Sequence, residues 1–107
     1  MKFINNSNDL SFYLEQNVVS DIPIKNISID SRSIKKESLF IAIKGNNFNG
    51  NNFVKEAFKK GASIALVDDK KFIGSEDSKI VYVKNTIRAL KKISKNIIKN
   101  YDGNIIA

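Results

Sequence analysis

Cysteine and histidine are both missing from this chain. Their absence excludes a disulfide framework, a thiol nucleophile, an imidazole general base and the usual zinc sites, so a metal would have to rest on carboxylates. Arginine is scarce too, since of the 18 basic residues only Arg32 and Arg88 are not lysine. Because the guanidinium makes the bidentate phosphate and guanine contacts, the net charge of +7 carries little of a nucleic-acid-binding signature. The abundance of Lys, Ile and Asn reads instead as an A/T-rich coding sequence. Long apolar runs are lacking: none reaches the roughly 18 residues of a membrane span. The start MKFINNSNDL has neither the apolar core of a signal peptide nor a lipidation pattern. A soluble cytoplasmic protein, monomeric and without membrane or nucleic-acid partners, is the expectation. With 107 residues the chain fits a single domain, 1–107, large enough for one modest core.

What is present alternates between strand and helix signals. Asn8 to Gln16 reads as a short helix capped by Asn8, with Leu10, Tyr13 and Leu14 on one face. Pro23 marks a loop, and Ile27 and Ile29 alternate with Ser28 in a first strand that stops at Asp30-Ser31-Arg32. Leu39 to Ile43 is apolar enough to be a buried strand. Asn51 or Asn52 can cap a helix on which Phe53, Val54, Ala57 and Phe58 share a face, and Gly61 sits where a left-handed C-terminal cap belongs. Ser63 to Val67 and Ile80 to Val83 are further strands. Asn85 or Thr86 opens a second long helix with Leu90, Ile93 and Ile97 inward and Lys91, Lys92, Lys95 and Lys99 outward. This pattern predicts an α/β sandwich with a central mixed sheet of about four to five strands flanked by helices. At the end, Asp102-Gly103 forms a turn and Asn104 to Ala107 begins an apolar strand, whose last four residues are expected to be partly exposed.

The polar residues between these elements cluster at strand ends. Asp30-Ser31-Arg32 alone reads as a surface turn, since Asp and Ser bond their own backbone readily there. Gly45 to Gly50, enclosing Asn46, Asn47, Phe48 and Asn49, alone reads as a tight strand-to-helix connection. The adjacent carboxylates Asp68-Asp69 and Glu76-Asp77 lie in loops, are expected to be exposed, and are poorly placed for acid–base work. No catalytic constellation and no metal site is expected. The lysine row from Arg88 to Lys99 reads as a solvated helix face. A nucleic-acid-binding stripe is the competing class, disfavoured by the lack of arginine and of interleaved aromatics.

Taken in order, Asp30-Ser31-Arg32, Leu39-Phe40-Ile41-Ala42, Gly45, Asn49-Gly50 and Phe53 resemble the amino-terminal domain of the Mur ligases. The likeness continues through Ala57, Gly61-Ala62, Val67-Asp68, Val83 and Thr86 to Ala89-Leu90, and so covers most of the chain from Ile27 onward. It looks most like the ligase that joins D-alanyl-D-alanine to UDP-N-acetylmuramoyl-tripeptide, with the sister ligase that adds the third stem residue as the near alternative. The resemblance implies that the chain recognises a UDP-N-acetylmuramoyl-peptide. It further implies that ATP and magnesium serve a full-length amide ligase, whose central and carboxy-terminal domains, including the phosphate-binding loop, are absent here. This chain alone would hold no cofactor and catalyse nothing.

By the same resemblance Ile29, Ser31, Arg32, Asn46, Asn47 and Phe48 contact the uridine diphosphate portion, while Gly45, Asn49 and Gly50 shape the loop. Arg32 binds a phosphate or braces the turn through Asp30. Asparagine amides suit a uracil edge, which offers both donors and acceptors, and a phenylalanine ring offers a stacking wall. The family often has Asp before the second Gly and His or Arg after it. Asn49 and Asn51 stand there in this chain, so a charged anchor is lost. The amino terminus of the Asn51 to Lys60 helix either receives the diphosphate or is merely solvated.

Overall fold

A computed structural model describes residues 4–98, with side chains in the final helix described through Ser94. The expected strand at Asn104 to Ala107 and the faces given to Lys95, Ile97 and Lys99 lie outside the described residues and side chains. The elements run α1 (Ser7–Leu14), β1 (Asn26–Ser28), a 3₁₀ turn (Ser31–Ser33), β2 (Ser38–Ile41) and a second 3₁₀ turn (Gly50–Phe53). After these come α2 (Val54–Lys59), β3 (Ala62–Val67), a third 3₁₀ turn (Lys70–Phe72), β4 (Ile80–Tyr82) and α3 (Thr86–Ile98). Among the described residues no helix is long and apolar enough to cross a membrane.

The four strands form one sheet in the order β1-β2-β3-β4, and every neighbouring pair is parallel. The α/β class is as expected, but the described sheet is not mixed. Each connection must leave one end of a strand, cross a face and re-enter at the other end. A run of neighbouring right-handed crossovers places all such connections on the same face. Accordingly Ile34, Phe58 and Phe72, one from each connection, pack with the cluster of Phe40, Ala42, Val54, Ala57, Ala62, Ala65 and Val67. The opposite face is left for α1 and α3, which contact each other there. They supply Leu10, Tyr13, Ala89 and Ile93 to a second cluster with Leu39, Ile41, Ile64, Leu66 and Val81. Alternate residues of β2 and β3 therefore feed opposite cores. A strand covered on both sides reads as a continuous apolar run because neither face meets water.

Local caps differ from expectation. Asn6, not Asn8, caps α1, its Oδ1 accepting from the amides of Asn8 at 2.8 Å and Asp9 at 3.3 Å. Asn8 turns outward, where its Nδ2 donates to Asp21 Oδ1 at 2.9 Å. Asn85 caps α3 by accepting from the Arg88 amide at 2.9 Å. Gly61, after α2, has φ +117°, and a Cβ there would sit 3.0 Å from the Lys36 Cα, so the position needs glycine on both counts.

Candidate functional site

Parallel strands bring all their carboxyl ends to one edge, and both polar segments singled out in the sequence lie there. The register pairs Ile27 with Leu39 and Ser28 with Phe40, so Ile29–Arg32 and the loop after β2 leave the sheet side by side. This edge is where open α/β sheets place their ligands.

The first segment is a small, internally bonded turn. Asp30 caps it, its Oδ1 accepting from the Arg32 amide at 2.8 Å and from Arg32 Nε at 3.1 Å, while Oδ2 accepts from the second guanidinium nitrogen at 3.0 Å. Arg32 thus braces the turn through Asp30. The hydrogen bonds from Arg32 hold the Asp30 carboxyl below the usual aspartate range, and Asp30 raises the Arg32 pKa in return. A lowered carboxyl pKa means the pairing is present above the ordinary aspartate value and is lost as pH falls through the lowered one. A carbon-detected titration of Asp30 should therefore show a midpoint below the usual value. Arg32→Ala should move it back up, and an unmoved midpoint would mean the pair does not form in solution.

Ser31 lies between these partners, and its chemistry differs from theirs. It is 2% exposed, although no expected core face included it. None of the hydrogen bonds among the described residues uses its hydroxyl, yet no enclosed polar side-chain atom is left unpaired among them. The hydroxyl thus keeps a narrow solvent-facing edge and free bonding capacity. Ile29, beside it, is 49% exposed.

The second segment is a closed loop. The Gly45 amide donates to the Phe48 carbonyl at 2.6 Å, Lys44 bridges Asn49, and the Gly50 amide donates to the Ile43 carbonyl at 2.8 Å. Asn46 and Asn47 are exposed at its tip. Phe48 is half-exposed and stacks on Phe53 with ring centroids 5.0 Å apart and planes 10° from parallel. Helical spacing placed Phe53 on one face of the helix with Val54, Ala57 and Phe58. Phe53 lies before α2 in a 3₁₀ turn instead, where the helical period does not apply.

Asn51 is not a helix cap either. Its side chain is buried and tied to Asp68, and Asp68 in turn bonds Thr86. Asp68 and Asp69 are accordingly half-buried, where exposure was expected. Nothing in hydrophobic spacing could reveal these ties, because polar partners 17 and 18 residues apart leave no periodic trace. The start of the Asn51 to Lys60 segment is a 3₁₀ turn, in which Asn49 Oδ1 accepts from the Asn51 amide at 3.0 Å. Helix α2 spans only 6 residues and Phe53 provides no side-chain cap.

Away from this edge, a shallow cleft of about 180 Å³ lies between the end of α1 and the start of α3, lined in part by Gln16, Lys84, Arg88 and Lys92. Lys92 is paired there with Glu15 at 2.7 Å, and the lysine and arginine side chains of the rim are exposed, which fits a solvated face.

A family model described as "Mur ligase family, catalytic domain" matches residues 23–102. The UDP-N-acetylmuramoyl-L-alanyl-D-glutamate–2,6-diaminopimelate ligase of Rickettsia conorii is 43% identical over 67 residues, covering 63% of this chain and 14% of that protein. The UDP-N-acetylmuramoyl-tripeptide–D-alanyl-D-alanine ligase of Rickettsia prowazekii is 31% identical over 102 residues, covering 95% of this chain and 22% of the relative. In fold, the crystal structure of MurF from Acinetobacter baumannii superposes with a TM-score of 0.69 at 22% identity, over 89% of this chain and 21% of that one. The chain thus spans between 14% and 22% of the length of these relatives. A family match over most of the sequence, similar relatives and a shared fold agree: this chain belongs to the Mur ligase family.

Proposed function

We propose that residues 1–107 form a nucleotide-sugar-recognition domain that binds the uridine diphosphate end of a UDP-N-acetylmuramoyl-peptide. The observation that carries this reading is the Ser31 hydroxyl, nearly buried yet unbonded among the described residues, beside a closed polar loop at the carboxyl edge of a parallel sheet. Ser31 and the loop amides offer hydrogen bonds to phosphate and uracil, and Phe48 offers a wall to the ring. Binding a distant, non-reacting part of the substrate positions the reacting carboxylate elsewhere in a full ligase. That ligase would use ATP and magnesium in domains outside this chain, so the 107 residues alone would catalyse nothing. As to the parent enzyme, the sequence looks most like the D-alanyl-D-alanine ligase. The relative that adds diaminopimelate is 43% identical over 67 residues and the one that adds D-alanyl-D-alanine 31% over 102, so identity supports either parent. Uridine diphosphate is common to both substrates, so the role of this domain is the same in either.

Titration with UDP, ADP and a short oligonucleotide, followed by nuclear magnetic resonance, tests the reading. UDP should bind weakly and move the signals of Ile29–Arg32 and Gly45–Gly50. Ser31→Ala and Phe48→Ala should each weaken it severalfold, on the order of 1 kcal/mol for one hydrogen bond or one apolar wall. If UDP leaves those signals unmoved, or the oligonucleotide binds along Lys91 and Lys92 far more strongly, the reading fails.

A further inference from the structure

Asn51 is 3% exposed, and its carboxamide uses both its donors and both its acceptor sites. Nδ2 donates to Asn49 Oδ1 at 2.9 Å and to Asp68 Oδ1 at 3.0 Å, while Oδ1 accepts from the amides of Asp68 and Asp69 at 3.1 and 3.2 Å. The second oxygen of Asp68 accepts from the Thr86 amide at 3.1 Å and from its hydroxyl at 3.0 Å, and Thr86 is fully buried. A continuous chain of hydrogen bonds therefore joins the end of the Gly45–Gly50 loop to the end of β3 and the first residue of α3. An asparagine that only closed a turn would be satisfied by its own neighbouring backbone.

From this geometry we infer that Asn51 is a positioning residue for nucleotide recognition, a reading that rests on the function proposed above. Through Asn49 and Asp68 it fixes one end of the loop, while the Phe48–Phe53 stack fixes the ring on the other side. A loop held in its binding shape before the ligand arrives does not lose ordering entropy on binding. Asn51 itself is enclosed, so it acts through the residues that touch the nucleotide and not by contact.

The test compares Asn51→Ala and the isosteric Asp68→Asn with the parent chain, and takes Asn52→Ala as control. The Asn52 side chain is exposed and accepts only a 3.5 Å bond from Lys71. Asp68→Asn keeps the shape of the side chain but has a single acceptor oxygen, so it can serve Thr86 or Asn51 and not both. Two quantities are read: exchange and chemical shift of the Gly45–Gly50 amides without ligand, and UDP affinity per folded molecule. Both variants should lose about five- to tenfold in affinity, as expected for one buried hydrogen-bond network opened. Their loop amides should exchange faster, while those of β2 and β3 stay as in the parent and Asn52→Ala changes neither quantity. A merely structural Asn51 would lower the folded fraction and leave the affinity of folded molecules within twofold of the parent, which would overturn the inference. Should the parent itself bind no UDP, the functional reading fails separately. The loop amides then decide: faster exchange in Asn51→Ala keeps Asn51 as the loop's anchor, and unchanged exchange removes it.

Discussion

Phe40→Ala should destabilise the protein by about 3–5 kcal/mol, the range for truncating a fully buried phenylalanine. The ring is fully buried and lies in the sheet opposite Ala65, with Ala42, Ala57 and Ala62 in the same cluster. Alanines have no spare length with which to fill the hole, and α2, only 6 residues long, is itself held by this contact layer. Against a total stability on the order of 5–15 kcal/mol for a domain, the loss leaves little margin. The thermal midpoint should fall by tens of degrees, since each kcal/mol is worth roughly 4–8 °C at this size. Urea unfolding of the variant, compared with Ile73→Ala at a 58% exposed position, is the measurement. A loss under about 1 kcal/mol at Phe40 would mean that the α2 face is not packed as described.

Gly50→Ala should have the largest effect on the site. A Cβ at this position would lie 2.8 Å from the Ile43 amide nitrogen and 3.0 Å from the Ala42 Cα, both backbone atoms at the end of β2. Backbone cannot rotate away as a side-chain tip can, so the loop must shift outward and stretch the Gly50–Ile43 hydrogen bond. A cost of about 1–3 kcal/mol follows from overpacking of this kind. UDP binding should fall more than tenfold, because the displaced loop moves Asn46, Asn47 and Phe48 together. Gly45→Ala provides the contrast, its Cβ meeting nothing closer than the Phe48 carbonyl at 3.8 Å. Equal stability and equal UDP affinity in the two variants would show that the close approach of loop to strand has no consequence. The two glycines were equivalent loop boundaries in the sequence; only the strand running beneath Gly50 makes them unequal.

Much of the fold could be read from local spacing. The β2 run from Leu39 and the Ser63–Val67 run were recognisable as strands because a parallel strand covered on both faces has few polar residues to interrupt it. Helix α3 was recognisable because Leu90 and Ile93 recur at helical spacing with Lys91 and Lys92 exposed between them, and the structure adds Ala89 to the buried face. The edge segments were legible as turns from their Asp, Ser, Asn and Gly residues, and their reading as a binding site came from the family resemblance. Strand direction was not legible, since a run of apolar residues reads alike in both senses. It followed here from connections long enough to cross the sheet.

The sequence by itself determined the α/β class, the approximate place of the four described strands and three helices, and the position of two polar turn segments, which only the family resemblance marked as a site. Periodicity and turn chemistry act over a few neighbouring residues, and these features depend on nothing farther away. Only the tertiary structure decided that Ser31 is nearly buried with its hydroxyl unbonded among the described residues, that Asn51 turns inward to Asp68, and that Phe48 stacks on Phe53. Whether a polar side chain faces water, another residue or a ligand depends on what the folded chain brings within about 3 Å of it, the reach of a hydrogen bond. Partners such as Asp68 and Thr86 meet because β3 and α3 end and begin at the same edge of the sheet, and a linear sequence does not display that proximity.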